Sequence, residues 1–368
     1  MRAELEPALL ERALTGPPLL VTGPPGAGKT TLLTQLCERL LEAGQVPVYL
    51  DLFGAASSPQ RFVASALHAL RAESFGSRLA QAVEIRRLAE ADRTHGSDAV
   101  EALFRLWAGL DEAQGRRVVL LLDEATEIRS LAYFKGLRDV AVRFGAALLA
   151  RRRGTILTTS FPTAARALWS LDAHPLPPLG PEALRPLAGP AADAIARASF
   201  GWPRYARVFL DAGPRTARDV ADLWAREMSH GGRLENMARA THEALLLRSR
   251  GYGICKAVLQ IVALEEGLNL TQLVPRVGRT PGATRDYLHW LVGVDALRMT
   301  KKRYAYVDGM LRHWVRLHGR GAPASRTEIQ ATAQALVSGA PAAAPGDAPE
   351  ADDLESVAAK RDSLIEID

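Results

Sequence analysis

The fold is decided by residues 19–30, where a short apolar segment runs directly into a glycine-rich loop: Leu19-Leu20-Val21-Thr22-Gly23-Pro24-Pro25-Gly26-Ala27-Gly28-Lys29-Thr30. Residues 23–30 fit the pattern G-x-x-x-x-G-K-[ST], which predicts a phosphate-binding loop between a strand and a helix. Glycines let the backbone curl until successive N–H groups point inward, and the helix beginning near Lys29 adds the positive end of its dipole. We therefore expect Gly23 through Thr31 to bind a nucleoside triphosphate, with Lys29 at the β- and γ-phosphates and Thr30 on Mg²⁺.

The composition is that of a folded protein with more than one domain. The chain has 368 residues, of which 48% are hydrophobic and 24% charged, which predicts about two or three globular units. No apolar run approaches the roughly 20 residues needed to span a bilayer, and no signal-peptide pattern opens the chain. We expect a cytoplasmic protein without a membrane partner. Cys37 and Cys255 fall in separate predicted helices, which argues against a disulfide framework or a clustered metal site.

Strand and helix patterns alternate through the first half of the chain. Strand patterns lie at residues 19–22, 46–50, 118–122 and 155–160, with an edge strand expected at 175–179; helical patterns lie at 31–43, 58–113, 131–152 and 163–171. Residues 118–122 are continuously apolar, as in a strand that is buried on both faces. The alternation predicts an α/β fold in which residues 1–180 form a parallel-sheet P-loop NTPase domain.

The second half of the chain reads as helical up to a final strand pair. Every segment of residues 181–249 has a helical pattern, which predicts an α-helical lid. Residues 250–318 predict a winged helix-turn-helix domain, with three helices followed by two short strands around Lys301-Lys302-Arg303. Residues 319–368 are rich in Ala, Pro and Gly and are predicted to be a flexible linker and acidic tail, with a short helical stretch at 352–366.

Adjacent carboxylates follow the buried strand at 118–122. Asp123 is expected to hold Mg²⁺ through a water shared with Thr30, and Glu124 to polarise the water that attacks the γ-phosphate. Without the phosphate loop, these two residues would be read as a solvated strand end. Together with the loop, they predict nucleotide hydrolysis.

The strand at 155–160 ends in polar residues. It is expected to lie between the strands that begin at residues 19 and 118, so that Thr159 or Ser160 could hydrogen-bond the γ-phosphate or the attacking water. Threonine is also common in strands for reasons unrelated to function. A guanine-reading N-K-x-D segment is absent after this strand, which favours ATP as the nucleotide.

These motifs resemble those of the ATPases that carry an additional strand and a catalytic glutamate, namely the AAA+ proteins and the signal-transduction ATPases with numerous domains (STAND). The resemblance covers about residues 1–318 and is most specific at residues 23–30 and 118–124. It is closest to archaeal-type ATPases of origin-recognition-like architecture, in which a lid and a winged helix follow the nucleotide domain. Gly201-Trp202-Pro203 fits the G-x-P signature, which implies that Pro203 lies near the bound nucleotide, and Tyr304 to Asp308 with Trp314 resembles the end of the winged domain.

The resemblance raises the question of arginine residues that act at the nucleotide. Arg151, Arg152, Arg153 and Arg166 all lie near the end of the fourth strand, and the sequence does not choose an arginine finger among them; helix-end cations are the alternative reading. Arg204 is the nearest candidate for a second sensor in the lid. A finger supplied by a neighbouring copy would make activity depend on an ATP-dependent homo-oligomer.

The predicted winged domain is basic. Residues 250–320 contain twelve Lys or Arg against five Asp or Glu, a net charge of +7, which suits double-stranded DNA or an acidic protein partner. The recognition helix would run from Thr280 to Trp290 with Arg285 and His289 exposed, and residues 301–303 would reach phosphates. Residues 347–368 carry a net charge of −6 and could be an autoinhibitor of this domain, a docking peptide or a solubilising tail.

The favoured function is an ATP-binding and ATP-hydrolysing molecular switch that couples its nucleotide state to a DNA or protein partner. The alternative is a non-catalytic, ATP-stabilised DNA-binding regulator or scaffold. A small-molecule kinase is disfavoured, because it would need neither a winged helix nor a water-activating Glu124.

Overall fold

A computed structural model describes residues 5–70, 79–91, 96–113, 115–151, 153–319 and 324–339. Its N-terminal part is built on a sheet whose strands are β1 (Leu19–Thr22), β2 (Val46–Asp51), β3 (Glu112–Ala113), β4 (Arg116–Asp123), β5 (Thr155–Thr159) and β6 (Asp172–Pro175). Five of them run parallel in the order β2-β4-β5-β1-β6, while β3 pairs antiparallel with β4. The predicted place of β5 between β1 and β4 is confirmed. The carboxyl ends of these three strands therefore meet at one edge of the sheet.

Helices cover both faces of this sheet: α1 (Glu6–Thr15), α2 (Lys29–Glu42), α3 (Leu52–Ala55), α4 (Pro59–Ala69), α5 (Leu79–Ala91), α6 (Gly96–Ala108), a 3-10 helix (Ala125–Tyr133), α7 (Val140–Ala150) and α8 (Pro162–Leu168). Alternate β4 side chains enter different cores, with Val119 and Leu121 facing α1 and α2, and Leu120 and Leu122 facing α4, α6 and α7. Burial on both faces explains why β4 is continuously apolar. The predicted parallel α/β domain is confirmed.

Three predictions differ in this part. The helical pattern expected to reach residue 113 ends at Ala108, and strand β3 follows at Glu112–Ala113, where it pairs with β4. The long helix expected at 131–152 is replaced by the end of the 3-10 helix and by α7. Phe134 is extended (φ −92°, ψ 148°) and Gly136 is left-handed (φ 77°), so the chain between the two helices is not helical. The edge strand expected at 175–179 lies earlier, at Asp172–Pro175, where it pairs with β1. Pro177 and Pro178 follow it, and proline has no N–H to donate to a neighbouring strand.

The C-terminal part is mostly helical, and its helices share a core. Its elements are α9 (Pro181–Ala188), a 3-10 turn (Gly189–Ala191), α10 (Ala192–Ala198), α11 (Pro203–Ala212), α12 (Ala217–Met228), α13 (Arg233–Arg248), α14 (Tyr252–Leu264), α15 (Leu270–Val277), α16 (Pro281–Gly293), β7 (Leu297–Thr300), β8 (Arg303–Tyr306), α17 (Gly309–His318) and α18 (Arg326–Ser338). One buried cluster runs from Leu179 to Val337. The predicted boundary between lid and winged domain at residue 249 therefore does not separate two hydrophobic cores, and residues 181–339 pack as one body.

The last helix corrects the predicted linker. Residues 326–338 of the region assigned to a flexible linker form α18, which begins with a capping box between Ser325 and Glu328. Ile329, Ala333 and Val337 recur every fourth residue and are buried in the shared core, so an alanine-rich sequence gains a helix by burying one apolar stripe. The acidic tail and the helical stretch predicted at 352–366 lie outside the described residues.

Arg151 is a structural residue and not an arginine finger. Its buried guanidinium donates to the carbonyl oxygens of Trp107, Leu110, Val118 and Gly154 at 2.7–3.2 Å and to Thr155 Oγ1 at 3.1 Å. Burial lowers the pKa of Arg151 to about 10, which still leaves it charged at neutral pH. Arg153 and Arg166 are exposed, and Arg152 lies outside the described residues.

We expect Arg151→Ala to lower the thermal unfolding midpoint by about 5 to 10 °C, because several buried carbonyl groups lose their donor. Arg153→Ala, which removes an exposed arginine, should leave the midpoint within about 1 °C. Thermal denaturation followed by circular dichroism checks both variants. Equal midpoints for the two would contradict the structural role of Arg151.

Candidate functional site

The loop between β1 and α2 has the curled backbone that its glycines predict. Gly26 and Gly28 adopt φ values of 81° and 91°, a region that other residues rarely enter. The Ala27 N–H donates to the Pro24 carbonyl at 3.0 Å, and a Cβ on Gly23 would lie 2.9 Å from the Ala27 Cβ. The predicted residues, from Gly23 and Pro24 through Pro25 to Thr30 and Thr31, thus lie at the carboxyl edge of the sheet.

Lys29 is the buried cation of the site. Its side chain is 4% exposed, and Nζ lies 3.2 Å from Glu124 Oε1. Nζ also donates to Ser160 Oγ at 2.7 Å and to the carbonyl groups of Gly23 and Pro24 at 3.0 and 3.2 Å. Burial lowers the pKa of Lys29, and the neighbouring Glu124 and Asp123 carboxylates partly offset this. Acceptors from three segments of the chain therefore stabilise the buried ammonium group of Lys29.

Asp123 and Thr30, which the sequence predicts to share a water on Mg²⁺, contact each other directly. Thr30 Oγ1 donates to Asp123 Oδ2 at 2.6 Å, and the Tyr49 hydroxyl reaches the same oxygen at 3.1 Å. The Thr158 hydroxyl donates to the other oxygen, Oδ1. A carboxylate and a hydroxyl are hard oxygen donors of the kind that Mg²⁺ takes alongside water and phosphate. Within the described ranges no group of three or more His, Cys, Asp or Glu residues could hold a metal ion by itself.

Glu124 occupies an unusual backbone conformation. Its φ of 48° and ψ of 49° are left-handed, which costs a non-glycine residue about 1–2 kcal/mol. Its N–H donates to Thr158 Oγ1 and Asp123 Oδ1, both at 3.1 Å. Its carboxylate accepts from the Ser160 N–H at 2.8 Å and from Ser160 Oγ at 2.5 Å. Strain compensated by hydrogen bonds is typical of functional residues.

The two sensor candidates have different surroundings. The Thr159 hydroxyl pairs with Thr126 Oγ1 at 2.8 Å and accepts from the Phe161 N–H at 3.0 Å. Ser160, in contrast, contacts both Lys29 and Glu124. The structure therefore brings Ser160 into the cluster of charged groups, whereas the Thr159 hydroxyl bonds to structural partners.

The segment with Gly201 and Pro203 lies beside the phosphate loop. Gly201, at φ 68°, accepts a hydrogen bond from the Leu179 N–H at 2.7 Å, and a Cβ there would lie 2.6 Å from the Leu179 carbonyl oxygen. Pro203 begins α11, and the Arg204 N–H donates to the Gly26 carbonyl at 3.2 Å. The Arg204 side chain lies against Gly26, since a Cβ on that glycine would meet Arg204 Cδ at 2.0 Å.

Sequence reasoning missed Tyr49 and Thr158 as partners of Asp123. Burial and the nearby Asp123 carboxylate raise the pKa of Tyr49, so it stays a hydroxyl donor. A signal was present, because both residues lie near the carboxyl ends of strands in one parallel sheet, where functional groups converge. The missing information was which side chains point toward Asp123.

Comparisons with known proteins show a family and a similar fold. A family model described as an AAA ATPase domain matches residues 2–196, and no curated protein matches the chain. A Walker-type ATPase of Pyrococcus abyssi is similar in fold, with a TM-score of 0.53 at 16% identity over 86% of this chain and 95% of that one. The Thermotoga maritima RuvB Holliday junction branch migration motor has a TM-score of 0.35 (16% identity; 84% and 94% covered). Cdc6p from Pyrobaculum aerophilum also has a TM-score of 0.35 (14%; 90% and 92%).

Neighbouring hydroxyl deletions test the assignment of Ser160. We expect Ser160→Ala to lower kcat for ATP hydrolysis by about 10-fold or more, because Lys29 and Glu124 both lose their hydrogen bond to the Ser160 hydroxyl. Thr159→Val, the matched control, should cost about 1 kcal/mol of stability and leave kcat within about 2-fold. Steady-state phosphate release together with thermal denaturation measures both. A larger kcat loss in Thr159→Val would reverse the assignment.

Proposed function

The chain belongs to the AAA ATPase domain family, and we propose that it is an ATP-hydrolysing switch that passes its nucleotide state to a DNA or protein partner through residues 181–339. The observation that carries the proposal is the cluster at the sheet edge. Glu124 lies within contact of the buried Lys29 ammonium and is hydrogen-bonded by Ser160. Placing a carboxylate beside a phosphate-binding lysine suits an enzyme that hydrolyses the nucleotide it binds.

Each residue of the site has a role in the proposed reaction. Residues 23–31 bind the phosphates, chiefly through the backbone N–H groups that follow Pro25, and Lys29 contacts the β- and γ-phosphates. Thr30 and Asp123 would hold Mg²⁺, which would supply positive charge to neutralise that developing on the phosphates. Glu124 orients the attacking water and polarises its O–H bond, while Ser160 fixes the Glu124 carboxylate. Pro203 and Arg204 lie beside the loop at Gly26, where they sense the nucleotide.

The C-terminal elements are consistent with a lid followed by a winged helix-turn-helix. We propose domains at residues 1–180, 181–249 and 250–318, with α18 returning to the lid. The order α14, α15, α16, then the β7–β8 hairpin and α17 supports the winged assignment. Because lid and winged domain share one core, we expect them to move together.

The exposed basic groups favour DNA as the partner. Arg285 and His289 are exposed on α16, whereas Leu288 and Leu291 are buried. Lys301 and Lys302 form the two-residue hairpin turn at φ values of 50° and 64°. Such a turn normally takes Asn or Gly, whereas here two lysines in a strained conformation place positive charge at its tip. The alternative partner for these basic groups is a protein with an acidic surface.

A second candidate function is a non-catalytic, ATP-stabilised regulator. It is favoured by the state of Glu124, because both carboxylate oxygens already accept hydrogen bonds from Ser160. In this case, nucleotide binding would hold the two parts together without turnover.

The first function also includes ATP-dependent self-association. The exposed Arg153 and Arg166 are the cations that could reach the nucleotide of a neighbouring copy.

Steady-state hydrolysis by matched variants separates these two functions. We expect Lys29→Ala to lose ATP binding, and Glu124→Gln to bind ATP with kcat lowered by about 100-fold or more. Glu42→Gln, an exposed change at the end of α2, is the control and should behave as wild type. Binding by wild type without turnover, with and without duplex DNA, would instead support the regulator.

The hairpin lysines give a separate test of DNA binding. We expect the double variant Lys301→Ala/Lys302→Ala to weaken duplex binding at low salt and to reduce the salt dependence of log K by about 2, one unit for each lost phosphate contact. Arg218→Ala/Arg226→Ala removes the same charge from α12 and should have little effect. Gel shifts across a salt series provide the measurement, and no binding by wild type at low salt would leave a protein as the partner.

A further inference from the structure

Residues 160–163 connect the candidate site to the C-terminal part over a very short stretch of chain. Ser160 hydrogen-bonds Lys29 and Glu124, and the next residues turn into α8. Phe161 packs against the core of residues 179–337, and Thr163 bonds to a residue of that part. A displacement of Phe161 or Thr163 therefore moves Ser160 as well, because at most two residues separate them in the chain.

Asp295 holds this segment from the turn between α16 and β7. Its carboxylate accepts from the Thr163 N–H at 3.1 Å and from Thr163 Oγ1 at 2.6 Å. Asp295 has a left-handed backbone with φ 54°. Burial raises its pKa to about 6, although the Thr163 hydrogen bonds and the charge of Arg166 act in the opposite direction. A strained, half-buried carboxylate is costly, and the two hydrogen bonds from Thr163 offset part of this cost.

Arg248 holds the same segment from the end of α13. Its guanidinium lies over the Phe161 ring, 4.6 Å from the centroid. Its Nη1 donates to Glu127 Oε1 at 2.8 Å, and Glu127 lies in the 3-10 helix that begins directly after Glu124. Arg248 therefore contacts both chain segments that leave the site, one after Glu124 and one after Ser160.

We propose that Asp295 and Arg248 are positioning residues for hydrolysis, which hold residues 160–163 against residues 124–127 so that Ser160 orients Glu124. This inference rests on the proposed ATPase function. Neither residue needs to touch nucleotide, because each acts through Ser160. A partner that displaces residues 250–318 changes the rate of hydrolysis by shifting Asp295.

The kinetic test compares alanine with conservative variants. Asp295→Ala and Arg248→Ala lower kcat by about 5-fold or more and change KM for ATP by less than about 2-fold, because phosphate binding stays intact. Asp295→Asn and Thr163→Ser, which keep hydrogen-bonding groups in place, retain more than half of the wild-type kcat. The losses of Asp295→Ala and Thr163→Val are not additive, since both remove the same contact.

Controls exclude a general loss of charge or stability. Asp211→Ala and Arg226→Ala remove exposed members of surface ion pairs in the C-terminal part and leave kcat unchanged. The inference is overturned if kcat of Asp295→Ala and Arg248→Ala equals that of wild type, or if the surface controls lose as much.

Amide hydrogen exchange tests the contact without any ATPase readout. In the full-length chain, Asp295→Ala accelerates exchange of the peptide that contains residues 161–166, because the Thr163 N–H loses its acceptor, and Asp211→Ala does not. If wild type has no ATPase activity but this exchange difference is present, the proposed hydrolysis fails while the contact stands. If wild type hydrolyses ATP and the exchange difference is absent, the positioning role fails by itself.

Discussion

The buried ammonium group of Lys29 is the interaction on which the rest of the site depends. A cation with 4% of its side chain exposed is stable only among acceptors, because burying an unpaired charge is very costly. Those acceptors come from the loop carbonyls, from Glu124 at the end of β4, and from Ser160 at the end of β5. The parallel sheet brings these groups together, since β4, β5 and β1 are neighbours whose carboxyl ends share one edge.

The C-terminal part contacts this edge through residues of different elements. Arg204 covers Gly26, Arg248 stacks on Phe161, and Asp295 accepts from Thr163. Within that part, the Tyr205 hydroxyl donates to the buried Asp308 at 2.7 Å, which ties α11 to the start of α17. Trp202 packs against the cores on both sides. A change at the phosphate loop therefore reaches a body that is packed around a single core, which gives the proposed switch its mechanical basis.

Local motifs in the sequence predicted most of the site and the parallel sheet. The curled loop at residues 23–30 and the buried strand before Asp123 both followed from residue types and spacing. Elements whose ends depend on packing were less predictable: Gly136 divides a predicted long helix, the edge strand lies at Asp172–Pro175, and α18 replaces part of a predicted linker. In each case, a tertiary contact or a single backbone conformation outweighed the local pattern.

The sequence by itself determined that residues 23–30 form a curled loop at the start of a helix, because backbone curvature and the helix dipole are properties of a local segment. It also determined that carboxylates follow a buried strand. Only the tertiary structure decided that Ser160 joins the charged cluster while Thr159 bonds to Thr126, since both carry a hydroxyl group and the sequence does not show where each one points. Only the tertiary structure brought Asp295 to Thr163 and Arg248 to Phe161, because these pairs are far apart in the chain and are joined by the packing of two cores.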